Sequence, residues 1–550
     1  MSNQHNERDE ESVIPRTRDL DGRPLFETHL TPTEDTRTKV IETKLPAVIP
    51  IVFLPGIMGT NLKNKKTGDS VWRPPNMSLN LADIVGVVAA LATWGVRGPK
   101  KRQQILKADD LTVDDGGSVD TGQSGLHKET ARKRGWGSVL RTSYNPVMGL
   151  LEARTDRVVA DRKPQGWWDS EGLRSPSDFG EENGQPALTE AELMNAARYD
   201  FDVWCAGYNW LQSNRQSAED VKQYIENTVL RHYRDQKPPV PAEKVILVTH
   251  SMGGLVARAL TNLVGYEKVL GVVHGVQPAT GAPAIYHHMR AGYEGPEQLI
   301  LGSNAGEVTA VVANSAGALE LCPTFDHRSG QPWLFLQDAQ GNVISDTEGL
   351  PCAYPRAANP YEEIYKNPAW YGLVPEQNTK YLDLSTNEDG PKTNARGTFN
   401  FLIDHVEAFH REFAGQYHPE TYAHYGADSA KAMHSWQDLV WRGNATALWE
   451  SDHNANGNGN YRRRPLGDGP ELTRVNGAGD GTVSVFSGEA PRDAGVKASF
   501  RHGQMGNGIA NVDRKGYDHQ GSYNDSRAQW ASLYGIMKIA QLADWHPNDQ

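Results

Sequence analysis

The 550-residue chain has only three cysteines, Cys205, Cys322 and Cys352. Three thiols cannot staple a fold of this length, so a buried apolar core must hold it. Cys322 and Cys352 flank a loop-like stretch; they either pair in an oxidising compartment or stay as buried free thiols. A surplus of cations is also missing. The 56 Lys and Arg are outnumbered by 68 Asp and Glu, for a formal charge of −12. That balance argues against a nucleic-acid partner, whose binding surface needs clustered cations, and against general attraction to anionic lipid. No long apolar run is present. The best candidate, residues 79–94 with Asp83 inside it, falls short of the ~20 residues that span a bilayer. Nor do residues 1–18 contain the apolar stretch of a secretory signal. The expectation is a soluble protein, cytoplasmic where it is made, whose export would need a route that reads no cleavable signal.

What the chain does have is 54 Gly, 32 Pro and 14 Trp, a mixture that suggests long loops around a compact core. Residues 1–45 are charged and without periodicity and read as a tail. The run Ala-Val-Ile-Pro-Ile-Val-Phe-Leu at 47–54 then reads as a strand buried on both faces, as a parallel sheet requires. Further short apolar strands are expected at 201–207, 244–249 and 269–273. Between them lie a helix opened by a Ser217 to Asp220 capping box and a small-residue helix from Met252. This alternation predicts an α/β fold with a mostly parallel central sheet. From 291 to 470 the alternation stops, apart from a helix candidate at 402–413. Strands at 472–475 and 496–500 and a helix at 526–542 close the chain.

The segment Thr-His-Ser-Met-Gly-Gly at 249–254 sits between a buried strand and a helix, the setting of a nucleophile elbow. A sharp strand-to-helix turn needs small neighbours, and Gly253 and Gly254 supply them after Ser251. Thr249 stands where the five-residue pattern has glycine. The alternative for Ser251 is an N-cap at the junction. The loop Leu-Pro-Gly-Ile-Met-Gly at 54–59 follows the first strand and could bring a second backbone N–H to the site. Met252 and Ile57 are the expected oxyanion donors, with Met58 as the alternative to Ile57. A serine nucleophile needs a histidine base and an acid to orient it. Asp480, in Gly-Asp-Gly-Thr-Val at 479–483, is the expected acid, with Asp404 and Asp468 as rivals. The alternative for Asp480 is an Asx turn that serves only its own backbone. His519 is the expected base and His502, just after a strand, the competitor. His405 and His410 are five apart, off the spacing of a zinc helix, and read as structural or surface residues.

Together Ser251, the 54–59 loop, Asp480 and His519 resemble an α/β-hydrolase lipase. Pro-Gly-Ile-Met-Gly at 55–59, Tyr-Asn-Trp at 208–210 and the Asp480 segment are similar to elements of lecithin–cholesterol acyltransferase-like and PGAP-like lipases. Asp518-His519 before the last helix resembles the histidine motif of thermoalkalophilic lipases, which favours His519 over His502. The whole pattern resembles phospholipase effectors of bacterial type VI secretion systems. The resemblance implies an α/β-hydrolase core built from 46–75, 200–290 and 471–550, around a first insertion (76–199) and a cap or lid insertion (291–470). Residues 79–94 are a second candidate covering element. It further implies hydrolysis of membrane phospholipid acyl esters through an acyl-enzyme and action in a competitor's periplasm, where a Cys322–Cys352 bridge could form. An immunity protein and a secretion apparatus would be its partners. An acyltransferase, a general carboxylesterase or a non-catalytic interaction protein on the same scaffold are the other readings. No cofactor or metal is expected; calcium is compatible with the superfamily, but no cluster of ligand residues exceeds chance.

Overall fold

The computed structural model describes residues 16–18, 24–26, 47–73, 97–160, 162–293, 302–382, 394–429, 435–443, 470–503 and 516–547. The candidate covering element at 79–94 and the rival acid Asp468 lie outside them.

Six strands form the central sheet: β1 (Val48–Leu54), β2 (Asp200–Cys205), β3 (Val245–His250), β4 (Val269–Gly275), β5 (Thr421–Gly426) and β6 (Ala498–His502). Their order is β6-β5-β4-β3-β1-β2, and every neighbouring pair is parallel. Alternation along β1 explains its double burial: Ile49, Ile51 and Phe53 enter one core, and Val48, Val52 and Leu54 the other. Pro50 would break a central ladder, because it has no N–H. It is tolerated because pairing with β3 begins one residue later, at Ile51.

Five helices pack against the sheet or carry the sequence candidates: α1 (Arg141–Asp156), α2 (Asn214–Tyr224), α3 (Gly253–Arg258), α4 (Ala395–Phe413) and α5 (Ser526–Ala540). The last packs on the sheet so closely that a Cβ at Gly271 would meet Ile539 at 2.7 Å. The start of α2 differs from the expected capping box. Ser213 is the cap, accepting from Gln216 N–H, whereas Ser217 lies buried within the helix and its hydroxyl turns back to the Asn209 carbonyl.

The boundaries of the expected segments also need correction. Strand β5 lies within 291–470, so that stretch is not wholly a cap and the sheet cannot close without it. The expected strand at 472–475 belongs elsewhere. Glu471–Gly477 edges a second, four-stranded sheet with Ser435–Arg442, Leu334–Gln337 and Ala353–Tyr354. A separate aromatic core, including Trp333, Trp370, Trp441 and Tyr365, accompanies that sheet. The first insertion is likewise partly core, since Tyr144, Met148 and Leu151 of α1 join the β1 cluster.

All three cysteines are free and buried, so Cys322 and Cys352 form no bridge. Among the described residues no helix is long and apolar enough to cross a membrane.

Buried histidines mark the carboxyl ends of the strands: His250 on β3, His274 on β4, His424 on β5 and His502 on β6. Burial holds His250 and His274 down to about 3 and His424 to about 4, so these rings are neutral near pH 7. Unfolding returns them to the ordinary value of 6.5, where they take up protons that the folded chain refuses. Their contribution to stability is therefore complete above pH 6.5 and is lost as pH falls towards 4. Urea midpoints should drop steadily from pH 7 to pH 5. A flat midpoint across that interval would contradict the assignment.

Candidate functional site

The sheet reverses its strand order beside β1 and β3, and crevices at such a switch point open at the carboxyl ends of the strands. Ser251 follows β3 there directly and is held at φ 54, a left-handed conformation that costs a non-glycine residue roughly 1–2 kcal/mol. Its neighbours make the turn feasible. A Cβ at Gly253 would meet the Leu54 carbonyl at 2.5 Å, and one at Gly254 would meet Gln277 at 2.7 Å. Thr249 fits in the glycine position because its hydroxyl is bonded to His274 Nδ1 at 3.1 Å inside the core.

His519 Nε2 lies 2.8 Å from Ser251 Oγ, and His519 Nδ1 lies 2.8 Å from Asp480 Oδ2. With the carboxylate accepting, Nδ1 carries the hydrogen and Nε2 accepts from the serine hydroxyl. Asp480 is also the Asx turn weighed as its alternative. Its Oδ1 accepts from Thr482 N–H at 3.0 Å and Val483 N–H at 2.7 Å, which leaves Oδ2 for the histidine. The acid loop approaches β5 so closely that a Cβ at Gly426 would meet Asp480 Cβ at 2.7 Å.

The other sequence candidates are placed elsewhere. His502 is buried and occupied, with Nδ1 against Tyr517 Oη at 2.9 Å and Nε2 donating to the Phe179 carbonyl at 3.1 Å. Asp404 pairs with Lys366 at 2.6 Å on the exposed face of α4. His405 bonds the Phe401 carbonyl one turn back, and buried His410 sits between Tyr361 and the Glu320 carbonyl. Among the described residues no three His, Cys, Asp or Glu side chains gather to hold a metal ion.

The loop after β1 closes over the serine. A Cβ at Gly56 would fall 2.9 Å from His250 Nδ1 and 3.0 Å from Ser251 Cβ, so only glycine fits without displacement. Met252 is buried behind the serine, while Ile57 and Met58 are half-buried. Met58 has φ 61, which turns the loop here. If the Ile57 N–H serves an oxyanion, Gly56→Ala should cost about 10²-fold in kcat on a soluble ester by displacing that donor. Steady-state kinetics check this; unaltered turnover would remove the loop from the site.

Three residues escaped the sequence reading. Asp428, just beyond β5, pairs its backbone with Gly479 and accepts Gly516 N–H at 2.6 Å, so it joins the acid loop to the base loop. His250 was in plain view within the serine motif, but its partners were not. Tyr144, on α1, is bonded to both the glycine loop and His250, and no local signal announces it.

A family profile described as PGAP1-like alpha/beta domain matches residues 186–292. A comparison with curated proteins gives no match. Among solved structures, a chain of a crystal structure entitled the Tle4-Tli4 complex is 56% identical, with a TM-score of 0.85. The alignment covers 91% of this chain and 100% of that one.

Proposed function

The chain belongs to the same α/β-hydrolase family as the Tle4 chain of that complex, and on that premise we propose that it is a serine phospholipase acting as an antibacterial type VI secretion effector. The observation that carries the chemistry is the unbroken hydrogen-bond sequence Ser251–His519–Asp480 at the carboxyl edge of the parallel sheet.

In this reading the Ser251 hydroxyl gives its proton to His519 Nε2 as Oγ attacks the acyl carbonyl. Asp480 holds the ring in the required tautomer and stabilises the imidazolium that forms. The negative charge on the former carbonyl oxygen is met by the N–H groups of Met252 and Ile57. His519 then protonates the departing lysophospholipid oxygen, leaving an acyl-Ser251 ester. Water, deprotonated by the same nitrogen, releases the fatty acid. A protein corresponding to Tli4 is proposed as the immunity partner, and the target-cell periplasm as the place of action. With net charge −12, engagement of lipid is assigned to apolar surface rather than charge attraction.

The test is mass spectrometry of mixed bacterial lipids after incubation with wild type and Ser251→Ala. Wild type should generate lysophospholipid and free fatty acid, and the variant neither. Equal products from both would overturn the reading.

A further inference from the structure

A second hydrogen-bonded chain runs beside the three proposed catalytic side chains, and its polarity can be assigned link by link. His250 Nε2 lies 3.0 Å from the backbone carbonyl of His519. A carbonyl only accepts, so Nε2 carries the hydrogen. Burial keeps the His250 ring neutral, and its Nδ1 is then an acceptor, 3.2 Å from Tyr144 Oη. Tyr144 donates its hydroxyl hydrogen there and accepts the Gly56 N–H at 3.1 Å on the same oxygen.

Both ends of this chain belong to moving parts of the proposed reaction. Gly56 precedes Ile57, the second oxyanion donor. The His519 carbonyl sits on the base whose ring takes the serine proton. Asp480 orients the imidazole but leaves its backbone untouched, and the Ser251–His519–Asp480 hydrogen bonds alone do not fix the first loop against the second. Glycine at 59 is part of the same arrangement, because a Cβ there would strike the Tyr144 ring at 2.7 Å.

We propose that Tyr144 and His250 are positioning residues that hold the oxyanion loop and the base loop at one fixed separation across the nucleophile. Tyr144 thereby makes the first insertion a working part of the site rather than a cover. The proposal rests on Ser251 and His519 being nucleophile and base. An error in that separation weakens transition-state contacts while leaving ground-state binding of substrate alone, so the loss falls on kcat and not on KM.

The experiment follows the rate of fluorophosphonate labelling of Ser251 in the full chain, together with kcat and KM on a soluble short-chain ester. Tyr144→Phe, which removes one oxygen and keeps the ring, should slow labelling and kcat about 10-fold at unchanged KM. His250→Leu, which breaks both links, should slow them about 10²-fold, and Tyr144→Phe added to it should cost nothing more. His250→Gln can still donate to the His519 carbonyl and should recover most of the loss, which a merely space-filling role would not predict. Should His250→Leu fail to fold, Tyr144→Phe and His250→Gln decide. Wild type that labels while both folded variants label equally fast overturns this proposal alone. Wild type that does not label overturns the reading of Ser251 and this proposal with it.

Discussion

Ser251→Gly is expected to abolish ester turnover and yet be more stable than Ser251→Ala. The loss of activity, on the order of 10⁵–10⁶ in kcat, follows from deleting the attacking oxygen, for which no neighbouring group substitutes. The stability difference follows from φ 54 at this position. Serine and alanine both carry a Cβ that crowds the backbone there, whereas glycine adopts the same angle at little steric cost. Both variants lose the bond to His519, so the comparison isolates the backbone term, about 1 kcal/mol. Paired urea titrations measure it. Equal midpoints for the two variants would show that the turn stores no strain. Residual turnover in either variant near the wild-type level would remove Ser251 from the chemistry.

Asp480→Asn should cost about 10³–10⁴-fold in kcat with the protein folded. The Asx turn dictates why. Two backbone N–H groups, from Thr482 and Val483, require an acceptor at Oδ1. The amide of asparagine must therefore place its oxygen there and turn its NH2 towards His519. Nδ1 becomes an acceptor and the ring hydrogen moves to Nε2, where it faces Ser251 Oγ and can no longer receive the serine proton. Asp480→Ala removes that wrong donor together with the orienting carboxylate. The pH profile of kcat/KM and fluorophosphonate labelling report the outcome. An asparagine variant with near-normal rates would exclude Asp480 as the orienting acid.

How much of this was readable beforehand depended on where the physics is local. Strands β1 to β4 announce themselves as short apolar runs because both faces of a parallel sheet are buried, and Ser251 falls where the strand and the glycines require it. Strand β5 has the same burial but is written Thr-Tyr-Ala-His-Tyr-Gly, and the Thr421 and Tyr425 hydroxyls find their partners, the His418 carbonyl and Glu182, only on folding, so it passed as part of a cap. Asp480 carried a local turn signature, and His519 was separated from His502 by resemblance rather than by chemistry. The fully occupied ring nitrogens of His502 supply the missing chemical distinction. Tyr144 was beyond reach, since its bond to Gly56 spans 88 residues and no period or composition encodes it.

The order of the site along the chain has a consequence in time. Ser251 and His519 are 268 residues apart, and the sheet that aligns them receives β5 and β6 only in between. At ribosomal speeds of about 5–20 residues per second, the proposed nucleophile exists for roughly 13–54 s before its proposed base has been made. On the proposed triad the chain is thus chemically inert through most of its own synthesis, and activity waits until the segment that carries His519 has been made and has joined the sheet.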